Sequence, residues 1–339
     1  MSGTRRVLVA VSKRERARFQ IDAAFAGIGG AGAELHVHEV DERTEWSALL
    51  GRLRPEVLVA AWATPALPAG CFDARDCPLN YVCFLTGSVR RLVPRAFIER
   101  GGIVTNWGDA VARQVAEHAL LLLLAALRRL PEWRPHLERA MESQKTHALS
   151  LATRTLHGRT VAVHGFGQIA REFIRLVAPF NVKVRAYSEG VPVEYMRRHG
   201  VEPVATLAAL FDGAEILVEC EALNPRTEQS VNAALLDRLT PGAIFVNVGR
   251  GAVVDEAALI ERAARGDIQV ALDVYASEPP PKGWAMLEVP GAVLSPHVGG
   301  PTLDCLPALG ARAAENVRRY LVGKPPNQPI TTDVYDRAT

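Results

Sequence analysis

Residues 159–164 (RTVAVH) form a short β-rich run, and Gly165-Phe166-Gly167-Gln168-Ile169-Ala170 carries it directly into helix-forming sequence. Few arrangements accommodate that order. The first glycine allows a tight turn out of a strand, and the second lets backbone approach a pyrophosphate. Ala170 is the small residue needed where helix packs on strand. The N–H groups at Gln168 and Ile169 then open a helix whose dipole favours an anion. The pattern predicts a dinucleotide-binding βαβ unit. Its place in mid-chain puts the start of that domain near residue 105 and leaves the chain upstream for a different task.

Strand and helix signals alternate on both sides of this point. Before it, residues 6–11, 34–40, 57–62, 81–85 and 103–106 are β-rich, with helical stretches at 14–26, 45–53 and 94–100. After it, strands are predicted at 160–164, 183–187, 216–220, 243–248, 270–274 and 293–295. A helix is expected at 256–265, with Asp255 as cap and Gly266 as stop, and another near 306–321, before a proline-rich, extended tail. The apolar stretch 111–130, with Asp109 as cap and Pro131 as stop, predicts a helix of roughly 30 Å buried on several sides. Alternation of this kind gives parallel sheets with helices on both faces, an α/β class with two doubly wound domains.

Composition narrows the partners. With 339 residues, 48% of them hydrophobic, the chain is long enough for two packed domains. A formal net charge of +2 and the lack of a lysine- or arginine-rich tract argue against nucleic acid. The apolar run 119–127 falls far short of the roughly 20 residues that span a bilayer, so no membrane role is expected. Residues 7–11 are too few for a signal-peptide core. Five cysteines (Cys71, Cys77, Cys83, Cys220, Cys305) with no close C-x-x-C pair fit a reducing cytoplasm rather than disulfides or zinc. No metal is expected.

Reactive groups gather after the late strands. Asn247-Val248-Gly249-Arg250-Gly251 places an arginine between glycines. Asp273-Val274-Tyr275-Ala276-Ser277-Glu278-Pro279 places two carboxylates, and Ser295-Pro296-His297-Val298-Gly299-Gly300 a histidine. In open α/β sheets ligands bind outside the carboxyl ends of strands, so Arg250, Glu278 and His297 are expected to converge. Reduction of a 2-oxo acid calls for such a set. A guanidinium holds the carboxylate and polarises the carbonyl, histidine donates a proton, and a carboxylate fixes the imidazole tautomer. Taken singly, each is better read as a bracing arginine, a solvated glutamate or a backbone-bonded histidine; all three at consecutive strand ends, behind the glycine turn, reverse that reading.

In these segments and others the chain resembles the D-isomer-specific 2-hydroxyacid dehydrogenases, the family of glyoxylate/hydroxypyruvate reductases and phosphoglycerate dehydrogenases. The matching stretches are VAEHAL at 115–120, HGFGQIA at 164–170 and NPRT at 224–227. NVGRGAVVDEAAL at 247–259, ALDVYASEP at 271–279 and SPHVGG at 295–300 continue the series. The resemblance implies a Rossmann NAD(P)-binding domain at 105–297 inserted into a flavodoxin-like substrate domain at 1–104 and 298–339. It makes Arg250 the carboxylate and carbonyl contact, His297 the acid/base and Glu278 its partner. Asp273 would hold the nicotinamide carboxamide, and Thr86-Gly87-Ser88 would grip the substrate carboxylate. Cofactor contacts are implied at Gly165, Gly167, Gln168, Ile169 and Ser188. Others fall at Val248, Gly249, Arg250, Asp273, His297, Gly299 and Gly300. A 2-oxo or 2-hydroxy acid, a nicotinamide cofactor and a homodimer complete the expectation.

The chain departs from the family in places. Ser188-Glu189 stand where Asp-Pro is usual after the second strand of the cofactor domain. The lost aspartate weakens the ribose contact, yet Glu189 would repel a 2′-phosphate, so NAD is expected with NADP as the alternative. Cys220 replaces a frequent histidine, and 133–155 matches the family poorly. Trp62 and Trp107 align near the substrate region, with core packing an equal reading. Glu117-His118 lacks the second histidine of a zinc helix and is read as structural, and His36 and His38 as surface residues. Two other functions fit the scaffold: an NAD(H)-sensing binding protein of the corepressor type, and a phosphite-type oxidation. A formate enzyme would carry glutamine in place of Glu278.

Overall fold

The structure is a computed structural model that describes residues 5–68, 77–143 and 151–337. Cys71 lies outside the described residues, as does part of the poorly matched segment 133–155. The chain forms two compact units, Met1–Val111 with Pro301–Thr339, and Ala112–Gly300.

In the first unit, β1 (Arg5–Val11), β2 (Ala33–Glu39), β3 (Val57–Ala60), β4 (Tyr81–Phe84) and β5 (Ile103–Thr105) form a sheet of order β2-β1-β3-β4-β5. Every pairing is parallel. β1, β3 and β4 are near-continuous apolar runs that are buried on both faces, as parallel strands covered by helices must be. This is the doubly wound flavodoxin-like order.

The second unit contains β6 (Thr160–His164), β7 (Lys183–Tyr187), β8 (Glu202–Pro203), β9 (Ile216–Glu219), β10 (Ala243–Asn247), β11 (Ile268–Leu272) and β12 (Val293–Leu294). Their order is β12-β11-β10-β9-β6-β7-β8, again parallel throughout. The chain winds outward from β6 to β8, then restarts at β9 on the other side of β6 and winds to β12. The direction therefore reverses between β6 and β9, the crevice where an open α/β sheet receives a ligand. One sheet face buries Val161, Val163, Ile216, Val218, Ile244 and Val246 against Ala116, Ala119, Leu122, Leu123 and Ala126 of the helix Ala112–Leu127. Full burial of each large aliphatic side chain contributes about 1.5–3 kcal/mol.

The α/β class and both parallel sheets agree with the sequence reading, whereas several element boundaries differ. The helix expected at 14–26 is two, Lys13–Arg18 and Ile21–Phe25. The first is closed by a capping box in which Ser12 and Glu15 satisfy each other's backbone, and Gln20 between them takes the left-handed φ of 49°. The helix expected at 111–130 covers only 16 residues, about 24 Å. Arg129 turns left-handed at φ 57° and Pro131 sits in the following 3-10 turn. The carboxylate of Asp109, three positions ahead of the first helical residue, accepts from Arg312 Nη2 at 3.0 Å. The tail is not wholly extended, because Thr332–Arg337 forms a helix that buries Tyr335. Trp62 is 42% exposed and packs edge-on to Trp107, so it is no core residue. Among the described residues, no disulfide joins Cys77, Cys83, Cys220 or Cys305. Among them, too, no helix is long and apolar enough to cross a membrane, and no cluster of metal-ligating side chains occurs.

Candidate active site

The β6 turn has the geometry that its sequence demands. Gly165 has φ +92°, and a Cβ there would lie 2.7 Å from the carbonyl carbon of Cys220 and the nitrogen of Glu221. Only glycine fits. Gly167 differs, because no protein atom lies within 4 Å of where its Cβ would stand. Packing of the chain therefore does not account for a glycine there. The helix Gln168–Val177 starts at this point, and Ala170 is fully buried against the sheet. An open cradle at the N-terminus of a ten-residue helix fits the pyrophosphate of a dinucleotide.

Parallel pairing brings the ends of β10, β11 and β12 side by side, with Asn247 opposite Leu272 and Leu272 opposite Leu294. Arg250, Asp273 and Ser295 therefore leave the sheet at one edge. Asn247 is buried and fixes the first loop. Its Oδ1 accepts from Gly249 N–H (3.0 Å), and its Nδ2 donates to Arg250 O (3.2 Å). The half-buried Arg250 donates through Nη1 to Gly249 O (2.7 Å). Burial pushes its guanidinium pKa down and the negative charge of Glu278 pulls it up. An arginine remains cationic through such a shift.

Glu278 and His297 meet. Nδ1 of His297 lies 2.5 Å from Oε2 of Glu278, with the two side chains 45% and 35% exposed. Glu278 Oε1 accepts from Tyr275 N–H at 3.1 Å. Tyr275 in turn donates from its hydroxyl to Ser295 O (2.6 Å) and packs edge-on to Trp284. The β11 loop is thus tied to the β12 loop by backbone, ring and side chain.

Asp273 ties them further. It is 2% exposed, and its Oδ1 accepts from Ser295 Oγ (2.7 Å) and Val298 N–H (2.9 Å), its Oδ2 from Gly299 N–H (2.8 Å). His118 Nε2 lies 3.2 Å from Oδ1 and 2.7 Å from Ser295 Oγ. Burial would raise the Asp273 pKa, but the bonds from His118, Ser295 and the two N–H groups prevail and hold it below the usual carboxylate range. A Cβ on Gly299 would stand 2.7 Å from Asp273 Oδ2. Between these anchors His297 occupies the left-handed region at φ 52°, a strained position for a residue with a side chain.

Glu278 thus meets His297, its charge reaches Arg250, and Asp273 holds the backbone of Val298 and Gly299 beside His297. His118, read as structural from sequence, is bonded to Asp273 at this site. Its place in the VAEHAL stretch was the one signal available. Ser188 Oγ donates to Glu221 Oε2 (2.8 Å), and Glu189 pairs with Arg226 (3.2 Å). In the first unit, Thr86 is buried and its hydroxyl has no hydrogen-bond partner among the described residues. Gly87 O accepts from Asn106 Nδ2 at 2.6 Å.

Comparison with known proteins identifies the family. The family model described as D-isomer specific 2-hydroxyacid dehydrogenase, NAD binding domain, matches residues 120–299. D-3-phosphoglycerate dehydrogenase of Methanocaldococcus jannaschii is 31% identical over 230 residues, covering 68% of this chain and 43% of that protein. Glyoxylate reductase of Pyrococcus furiosus is 28% identical over 239 residues, covering 69% of this chain and 70% of its own. The chain thus spans less than half the length of the phosphoglycerate dehydrogenases it matches. The crystal structure of an NADPH-dependent glyoxylate/hydroxypyruvate reductase from Sinorhizobium meliloti superimposes with TM-score 0.77 at 25% identity over 99% of both chains. With the family model matching more than half of its residues, the chain belongs to the D-isomer specific 2-hydroxyacid dehydrogenases.

Proposed function

We propose that this chain reduces small 2-oxo acids to D-2-hydroxy acids, reversibly, with Arg250, Glu278 and His297 as the reacting set. The observation that carries the reading is the 2.5 Å contact between His297 Nδ1 and Glu278. It commits Nδ1 to the carboxylate and leaves Nε2 as the atom that gives or takes a proton. The bound nicotinamide dinucleotide supplies the hydride. As the carbonyl carbon is reduced, its oxygen becomes an alkoxide and takes the Nε2 proton. His297 is left neutral, its Nδ1–H still held by Glu278. In the oxidative direction Nε2 takes the hydroxyl proton back.

Arg250 binds the substrate carboxylate and polarises the carbonyl, and its half-buried setting strengthens both contacts. Thr86-Gly87-Ser88 in the first unit offers further donors to the carboxylate. Gly165, Gly167, Gln168 and Ile169 hold the pyrophosphate. Asp273 positions the His297 loop and would hold the nicotinamide carboxamide. On this reading residues 105–297 are the cofactor domain and 1–104 with 298–339 the substrate domain. The protein works as a cytoplasmic homodimer, which light scattering after size-exclusion chromatography tests.

The direct test is a panel of 2-oxo acids run with NADH and with NADPH, following nicotinamide absorbance. Turnover of at least one acid that is lost in His297→Ala supports the assignment. Cofactor binding without turnover of any acid overturns it in favour of a sensor, and oxidation of phosphite alone overturns it in favour of that chemistry.

A further inference from the structure

At the carboxyl ends of β7, β6 and β9, three residues stand in a row: Ser188, Gly165 and Glu221. Ser188 occupies the place, some 20 residues beyond the glycine turn, from which a dinucleotide fold presents an acidic side chain to the adenosine ribose. Serine supplies no carboxylate there. The neighbouring strand end does, because Glu221 Oε2 accepts from Ser188 Oγ at 2.8 Å. Glu221 thus reaches across the Gly165 turn, and its half-buried carboxylate lies one hydrogen bond from the missing group.

Its backbone is fixed from below. Glu221 N–H donates to Glu219 Oε1 (2.7 Å), and Glu219 Oε2 binds His164 Nδ1 (2.6 Å) in a pair that is fully withdrawn from water. Oε1 of Glu221 accepts from Ala222 N–H at 3.0 Å. Each carboxylate oxygen keeps a lone pair for a further donor.

We propose that Glu221 takes over the ribose-hydroxyl contact that Ser188 cannot make, and so selects NAD(H) against NADP(H). This rests on the dinucleotide reading given above. A ribose diol donates to this carboxylate. A 2′-phosphate, with a charge of about −1.5 to −2, meets it and the adjacent Glu189 as like charges. Arg226, which lies near enough to neutralise a phosphate, is already paired with Glu189.

The test is direct titration of the wild-type protein, Glu221→Gln and Ser188→Asp/Glu221→Gln with NADH and NADPH, by calorimetry and without substrate. The wild type is expected to bind NADH more tightly than NADPH. Glu221→Gln keeps the shape and loses the charge, and should weaken NADH roughly tenfold while narrowing the preference. An aspartate at 188 should restore both, which separates a specific effect from general damage. Equal or tighter NADPH binding by the wild type overturns the proposal, as does an unchanged preference in Glu221→Gln. Loss of NADPH affinity alone in Arg226→Ala would assign Arg226 as a phosphate receptor and also overturn it. Binding of neither dinucleotide would instead overturn the function on which it rests.

Discussion

Nδ1 of His297 and Oε2 of Glu278, borne on loops after adjacent parallel strands, lie 2.5 Å apart. The contact sets the tautomer of an imidazole whose backbone is held in the left-handed region. A carboxylate in this place orients the ring, and in the proposed reaction it would stabilise the imidazolium that donates to substrate. Glu278→Gln keeps the shape and one hydrogen bond but removes the charge. Turnover should fall about 10- to 100-fold, less than the roughly 10²–10⁴-fold expected for His297→Ala. The Michaelis constant should change little, since Glu278 is assigned no substrate contact. Steady-state kinetics of both variants on one substrate checks this, and equal losses in kcat and KM for Glu278→Gln would remove it from the positioning role.

Arg250→Lys tests geometry rather than charge. Lysine cannot form the planar two-point contact, and the desolvation that lowers the Arg250 pKa acts on an amine with far less margin before it neutralises. Loss of one charge-assisted pair corresponds to about 1.5–3 kcal/mol. The value of kcat/KM should therefore fall by roughly 10- to 150-fold, with KM raised and kcat lowered together. A normal saturation curve in this variant would exclude Arg250 from carboxylate binding.

Asp273 is the keystone of the β11 and β12 loops, receiving Ser295 Oγ, two backbone N–H groups and His118. Asp273→Asn removes the charge and turns one acceptor into a donor facing donors, which should destabilise by about 3–5 kcal/mol. Its pKa is lowered in the folded state. The wild type therefore carries a stabilising contribution that is complete above the ordinary aspartate value near 3.9. That contribution is lost as pH falls through the depressed folded value. Melting temperatures measured from neutral to acid pH should converge for wild type and Asp273→Asn below that range. Curves that stay parallel would show that the bracket is not electrostatic.

The sheets and the Arg250–Glu278–His297 set were legible because each is written locally. A buried parallel strand reads as an unbroken apolar run, and the loop after it carries its polar residues in sequence. Contacts across long separations were not. His118 and Ser295 are 177 residues apart, and nothing in a lone Glu-His pair on an apolar helix announces a partner. Glu221 was passed over for the same reason. The chemistry expected after β7 is supplied after β9, a neighbour in space only once the strand order is known. The break at Gln20 is a single residue turning left-handed, which apolar periodicity does not record.

His164 and Glu219 offer the sharpest pH test, because both are buried and 2.6 Å apart on adjacent strand ends. Burial works against a charged imidazole, but the Glu219 carboxylate outweighs it and raises the His164 pKa. A histidine with a raised folded value contributes stability that is fully present below its unfolded value near 6.5. That stability is lost as pH rises through the folded value. Urea unfolding from pH 6 upward should show wild-type stability declining relative to a His164→Val/Glu219→Leu double variant. Glu219→Leu alone strands an unpaired histidine and frees the N–H of Glu221, and should cost about 3–5 kcal/mol. The double variant replaces the pair with apolar side chains, on a sheet face that already carries Ala162 and Leu217, and should lie close to the wild type. If it does, yet binds NADH less tightly, the pair is kept for holding Glu221 rather than for stability. If the double variant unfolds as readily as Glu219→Leu, the pair is a structural requirement of the β6–β9 crevice itself.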